Sequence, residues 1–489
     1  LLNSFLKDLT KYFNNRLNER FCRKYDFTLD DLNIAKSLHW ILEFPEVFLK
    51  SKGFDIIIGN PPYFRVTNAP KKEQEIFGEL DYFQGLHHGQ GDIFYDFIVR
   101  SYYLLNEGGY FMFIVSRYWL EAAYANYLKK FLKEKVNVLK IIDFRELKIF
   151  KGVDINNTII SYKKEAPHEK NKFFDAYIYE KKQKELIGEI NPLEVLEYCG
   201  QYDITEWDAN ENWVLLVEEY KEIYSKIKNI QTRIKDAFIC SQNNMLSKPY
   251  RDKFTFEDKP EGIPDDFFRP SRQPGDTYKY TVRDDVKCYV MVIHDLEVAL
   301  TRKTFLKYLE ENEIELNSIK EVPLNSDKNV DMFDEVIYIG FRVPRLDFWI
   351  IYSNNHDWVF GTYFYAAKPK IKGNLTQSMT YLLGILNSKL IKFYLDVMGK
   401  KKDADLELGT SALLDIPIKL NIDLLNKKEN EIIQNIEKIT KEILDLERNG
   451  SDISTKQDKL DLLVYELYRI DEEEQEHIEK YIEYTKKLL

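Results

Sequence analysis

The stretch FDIIIGNPPYFRV, residues 54–66, decides the fold. Behind Gly53, the apolar run Phe54–Ile58 broken only by Asp55 has the length and composition of a short strand buried in a parallel sheet. Gly59-Asn60-Pro61-Pro62-Tyr63 then ends it, because proline fixes φ and offers no backbone donor to a ladder. Downstream, the pattern repeats. DIFYDFIVRSYYLL (92–105) has helical period and NEGG (106–109) is a turn. YFMFIVS (110–116) reads as a second strand, NYLKKFLKE (126–134) as a helix, VLKIIDF (138–144) as a third strand and NTIISYKKE (157–165) as a fourth. Strands alternating with helices predict an α/β layer built on a mainly parallel, Rossmann-like sheet.

Working outward, residues 1–50 read as helices, with Phe5, Leu9, Tyr12 and Phe13 at helical spacing. After about residue 166 the composition turns charged, and 166–230 is expected to be a helical connector. Residues 231–420 alternate short strands such as CYVMVI and FWIIYS with Pro- and Gly-containing loops, as in a mixed α+β domain. One long helix is expected within them, MTYLLGILNSKLIKFYLDVM (379–398). Residues 421–489 carry an apolar stripe through Ile432, Ile436, Ile439 and Ile443 and predict closing helices. The run DEEEQE (471–476) is expected on a solvated face. The expected domains are therefore 1–165, 166–230, 231–420 and 421–489.

A net charge of −11 makes binding through phosphate contacts alone a poor description, so a nucleic-acid partner would require a local basic face. The four cysteines form no CxxC pair and no HExxH is present, so neither a metal site nor a disulfide framework is predicted. No apolar run reaches ~18 residues, which predicts no membrane span. A reducing, cytoplasmic setting is expected. The chain opens on Leu-Leu, as expected of a piece of a longer polypeptide.

Ligands of open α/β sheets bind at the carboxyl ends of strands, where Asn60, Pro61, Pro62 and Tyr63 fall. Each suits a planar amine. The Asn60 side-chain oxygen can accept one N–H and the Pro61 carbonyl another. Two acceptors on one exocyclic amine weaken its conjugation with the ring and stabilise the positive charge that develops when it attacks an electrophile. The two prolines fix the acceptors in place, and Tyr63 offers a stacking face.

NPPY resembles the catalytic motif of S-adenosylmethionine-dependent methyltransferases acting on exocyclic or amide nitrogens. LHWILEFPEVFLKSKGFDIIIGNPPY and GDIFYDFIVRSYYLLNEGGYFMFIVSRYWL look like the corresponding stretches of the large adenine methyltransferases of type IIG restriction–modification systems. FKGVDINNTII is similar to their later motif, and FRPSRQPGD, LLDIPIKL and KLDLLVYELYRIDEEE to their C-terminal target-recognition domain and closing helices. The resemblance implies methylation of adenine N6 on a base flipped out of double-stranded DNA, with Tyr63 and Phe150 on either side of the ring. It implies S-adenosylmethionine as cofactor and no metal. It assigns site choice to 231–420, where Arg251, Arg269, Arg272, Arg342, Arg345, Lys400 and Lys401 are candidate DNA contacts.

The Gly-rich turn that would hold the cofactor is not found in the sequence: GLHHGQGD (85–92) follows no strand, and NEGG precedes one. The expectation is that this chain holds only the C-terminal half of the methyltransferase sheet, the cofactor site lying on a missing N-terminal half or a second subunit. The alternative is a non-catalytic DNA-specificity subunit. A protein-glutamine methyltransferase is disfavoured by the long C-terminal region.

Overall fold

The computed structural model describes the chain apart from residues 1, 35–37, 84, 87–90, 146, 151, 153–154, 180–194, 243–251, 262, 273–278, 281–287, 292, 294, 320–335, 341, 347, 354–358, 361–363, 370–377, 403–404, 409–412, 420–426 and 489. The chain forms two compact units, Leu1–Glu218 and Glu219–Leu489.

The first unit is built on a six-stranded sheet: β1 (Phe54–Gly59), β2 (Leu105–Ser116), β3 (Asn137–Asp143), β4 (Asn157–Lys163), β5 (Phe173–Tyr179) and β6 (Leu196–Asp203). Its order is β1-β2-β4-β3-β5-β6. The four strands predicted before residue 166 are present. The sheet is mixed rather than mainly parallel. β1–β2 and β3–β5 are parallel, while β2–β4, β3–β4 and β5–β6 are antiparallel. The reason lies between β3 and β4: the described part of 144–156 contains no helix, and a parallel neighbour needs a crossover element. The expected connector at 166–230 is corrected too. β5 and β6 complete this sheet, and the helix Glu218–Lys228 follows them.

One face of the sheet is covered. Phe111, Ile141, Ile160, Tyr162 and Ala176 are buried there. Tyr162 stacks on Phe111 at 4.3 Å and donates its hydroxyl to the Ile98 carbonyl at 3.0 Å. Ile98 belongs to the helix Phe94–Leu104, and Leu128 and Leu132 of the helix Asn126–Lys135 are equally buried. Burial of this kind contributes ~1.5–3 kcal/mol for each large apolar side chain. On the other face, Ile56 and Ile58 stand opposite Tyr110 and Met112, and all four are exposed. β1 was expected to be buried; among the described residues it is instead the outer strand, hydrogen-bonded to β2 alone.

Gly53 permits the close entry into β1. A Cβ at this position would lie 2.6 Å from the backbone nitrogen of Asn106 and 2.7 Å from the Leu104 carbonyl oxygen. Backbone atoms cannot rotate aside as a side chain can. Gly53→Ala is expected to cost about 1–3 kcal/mol, read as a lower urea midpoint, because β1 must shift away from β2. An unchanged midpoint would show that the entry has slack.

The described residues of the second unit form two four-stranded sheets, a three-stranded sheet and a helical end. Phe254, Phe267, Phe268, Met291, Phe305 and Leu309 form one of its cores. The helix predicted over 379–398 is two helices, Met379–Asn387 and Lys389–Met398. Ser388 takes an extended conformation between them; its hydroxyl donates to the Ile385 carbonyl at 2.7 Å and accepts from the Ile391 amide at 3.3 Å, which caps the second helix. The closing helices are Lys427–Arg448, Ser454–Tyr468 and Glu472–Leu488. Within the run expected to be solvated, Glu474 is buried. It accepts from the Asp471 amide at 2.9 Å and pairs with Lys226 at 2.6 Å, so this residue caps the last helix. Among the described residues no helix is long and apolar enough to cross a membrane.

Candidate active site

β1, β2 and β3 run in one direction, so their carboxyl ends share an edge of the sheet. Three connections gather there: the turn after Gly59, the segment after Ser116 and the loop between β3 and β4. Arg117 fixes the second to the third. Its guanidinium forks onto Asp143, the last residue of β3, with both bonds at 3.0 Å, and donates to Glu121 at 2.5 Å. Trp119, fully buried, donates from Nε1 to Thr158 at 2.9 Å.

On this frame the diproline turn is held at both ends. Behind it, Gly59 pairs with Phe113 in the ladder. Ahead of it, Arg65 and Asp92 form an antiparallel bridge: the Val66 amide donates to Gly91 at 2.8 Å and the Ile93 amide to Phe64 at 2.9 Å. The turn is thus clamped to the start of the helix Phe94–Leu104, the DIFY stretch singled out in the sequence.

Within the turn, Asn60 and Pro62 are exposed, Pro61 is buried and Tyr63 is half-buried. The Tyr63 hydroxyl donates to Asn60 Oδ1 and also reaches the Ile114 carbonyl at 3.0 Å. Burial pushes that hydroxyl up to about 12. Among the described residues no donor reaches the Pro61 carbonyl. Asn60 and Pro61 therefore offer two oxygens, one of them already engaged by a donor of the protein itself.

The ring that Tyr63 meets is Phe94, edge to face at 6.3 Å; Phe94 is fully buried and was not among the predicted site residues. Phe150 is half-buried in the β3–β4 loop, at the same edge of the sheet. Asp92 was also missed as an individual residue. Burial raises its carboxyl to about 6 against the opposing charge of Arg65. The sequence signal was its place beside Gly91 at a helix start. A cavity of about 570 Å³ adjoins the turn, bounded by Pro62, Phe64, Trp40, Ile93 and Phe97. That volume is in the range of small-molecule sites, ~300–1,000 Å³, although Asn60 and Tyr63 do not line it.

The predicted DNA contacts divide. Arg345 and Lys401 are buried and are corrected here. Arg345 donates to both oxygens of Asp396, at 2.7 and 2.9 Å, and Tyr481 adds a third bond at 2.7 Å. Burial alone would raise the Asp396 carboxyl; the Arg345 guanidinium, with Lys401 and Tyr481, holds it down at about 2. Sequence gives the residue type but not its ion-pair partner 51 positions away. Arg269 and Arg272 lie on the strand Phe268–Arg272, Arg342 on Arg342–Pro344 and Lys400 on Lys400–Lys402, with side chains outside the described set. Arg251 is outside the described residues. Among the described residues no cluster of side chains could hold a metal ion.

Residues 3–150 match the family of Eco57I restriction-modification methylases. RM.MjaORFECS2P of Methanocaldococcus jannaschii, named as a type II restriction enzyme and methyltransferase, is 26% identical over 468 residues, 93% of this chain and 34% of that protein. The type II methyltransferase M.HincII of Haemophilus influenzae is 24% identical over 426 residues, 80% of this chain and 78% of that protein. This chain thus spans about a third of the first relative's length and over three quarters of the second's. The fold is that of the type IIL restriction–modification enzyme MmeI, solved in complex with DNA. The TM-score is 0.58 at 14% identity, covering 91% of this chain and 58% of MmeI.

Proposed function

We propose that the chain methylates the N6 amine of adenine in a specific DNA site, as part of a restriction–modification system. The observation that carries this is the pair of oxygens at the end of β1, Oδ1 of the exposed residue Asn60 and the Pro61 carbonyl, held on a diproline turn clamped at both ends. An exocyclic amine donating to both loses conjugation with its ring, and the oxygens stabilise the charge that develops on nitrogen. Tyr63 supports the base from one side and Phe150 from the other, after the base has left the duplex. Asn60, Pro61, Pro62 and Tyr63 would thus bind and orient the acceptor nitrogen.

S-adenosylmethionine supplies the methyl group in this reading. Among the described residues no Gly-rich turn opening a helix follows the first three strands: β1 is followed by Asn-Pro-Pro-Tyr, β2 by the single turn Arg117–Leu120 and β3 by Phe144. The same gap favours the second reading, a DNA-specificity portion that acts only with a cofactor-holding part.

Double-stranded DNA would be read by the second unit, with Arg251, Arg269, Arg272, Arg342 and Lys400 as the remaining basic candidates. The test is isotopic methyl transfer from S-adenosylmethionine to duplex DNA by the product of the complete gene, followed by nucleoside mass spectrometry. N6-methyladenine is expected. Methylcytosine alone would overturn the adenine assignment, and no methylated base would favour the second reading.

A further inference from the structure

Arg117 holds both ends of the loop between β3 and β4. Its side chain takes the start, forking onto Asp143, the last residue of β3. Its backbone amide takes the end, donating at 2.8 Å to the carbonyl of Asn156, the residue before β4. All three residues are buried. The described part of the loop is tied inside as well. Asp143 Oδ1 also accepts from the Arg145 amide at 2.9 Å, which fixes the turn where Arg145 takes a φ of +48°. The Phe144 amide donates to the Asn157 carbonyl at 3.1 Å, the Leu147 amide to Phe144 at 2.9 Å, and Lys148 Nζ to Asn156 Oδ1 at 3.1 Å. Leu147 is fully buried with Ile142, Phe144 and Tyr179, and Ile149 packs against that cluster. Phe150 follows directly. A planar fork fixes direction as well as charge, which a lysine ammonium cannot do. With Glu121 also accepting at 2.5 Å, this buried guanidinium is committed to the interior and not to phosphate.

We infer that Arg117 is a positioning residue for the substrate base: by fastening both ends of the β3–β4 loop it holds Phe150 where the extruded ring stacks. What Phe150 meets rests on the adenine reading above; the fastening of the loop does not. An aromatic plate contributes to base binding only as far as it is ordered beforehand, because any freedom left in it must be removed when the base arrives. Phe150 is half-buried and lies in a loop, so its order has to come from the residues around it. Arg117 supplies that order from β2, a different strand from the two that the loop joins.

Two readouts on the product of the complete gene test this. Arg117→Lys keeps a positive charge between Asp143 and Glu121 but loses the fork. Without DNA, the Phe144 and Leu147 amides are expected to exchange on the order of tenfold faster, while helix Asn126–Lys135 keeps its protection. In steady-state methylation, KM for DNA is expected to rise about tenfold, as for one lost stacking partner, with kcat within about threefold of the parent. Phe150→Ala should raise KM equally, and the double variant no further than either single one. Lys148→Met cuts the tie to Asn156 and leaves the buried carboxylates paired, so it separates the loop from a folding defect; it should move KM the same way by a smaller factor. Additive losses in the double variant, or parent exchange rates and parent KM in Arg117→Lys, would overturn the inference. A KM that responds to Phe150→Ala but not to Arg117→Lys sinks the inference alone. A loosened loop with parent KM in Phe150→Ala sinks the stacking reading, and the inference with it.

Discussion

Asn60→Ala is expected to reduce kcat for methyl transfer by about 10²–10³-fold, the usual cost of deleting one positioned electrostatic partner of a transition state. Asn60 is exposed and stands at the carboxyl end of β1, outside the ladder, so loss of its side chain leaves the strand pairing intact. DNA affinity and thermal stability should stay close to those of the parent. A loss seen in kcat and kcat/KM alike, with KM unmoved, identifies an interaction made mainly in the transition state. Asn60→Asp keeps an acceptor oxygen and should retain more activity than alanine. Methylation at the parent rate in the alanine variant would remove the turn from the chemistry.

The second large effect concerns stability. Arg345→Ala leaves the fully buried Asp396 without its guanidinium, and breaking such a pair by removing one partner costs about 3–5 kcal/mol. For a unit of this size that is a fall of roughly 10 °C in Tm. The pH dependence follows from the depressed carboxyl. Its folded pKa of about 2 lies below the ordinary 3.8, so the stabilisation is complete above pH ~4 and is lost as pH falls through about 2. The parent should lose on the order of 2 kcal/mol of stability across that window, and the alanine variant much less. The rival role is a phosphate contact. That would leave Tm nearly unchanged and reduce the salt slope of DNA binding by ~1.

The sequence revealed the elements whose burial leaves a period behind. β3 and β4 are dense in Ile and Val and fell within about two residues of their predicted bounds, whereas β2 starts at Leu105 and takes in NEGG, which was expected to be a turn and is instead an irregular start of the strand. The turn at Asn60–Tyr63 was legible because two prolines after a strand have few other uses. β5 was missed because FFDAYIY is one-sided: Phe174, Ala176 and Ile178 are buried, while Asp175 and Tyr177 on the alternate face are half-exposed, and charged neighbours hide so short a pattern. Ser388 was missed because an apolar period on both sides runs through it, and only the serine's own hydrogen bonds break the helix. Arg345 shows the remaining limit. An arginine in a polar loop looks alike in sequence whether it faces phosphate or a carboxylate within its own fold; tertiary placement decides.

The hydroxyl of Tyr63 resting on Asn60 has a consequence for how any amine arrives. In the proposed reading, an incoming N–H finds Asn60 Oδ1 already accepting from a resident O–H, so it shares that oxygen's second lone pair or takes the place of the Tyr63 hydroxyl, which has the Ile114 carbonyl within reach as a second acceptor.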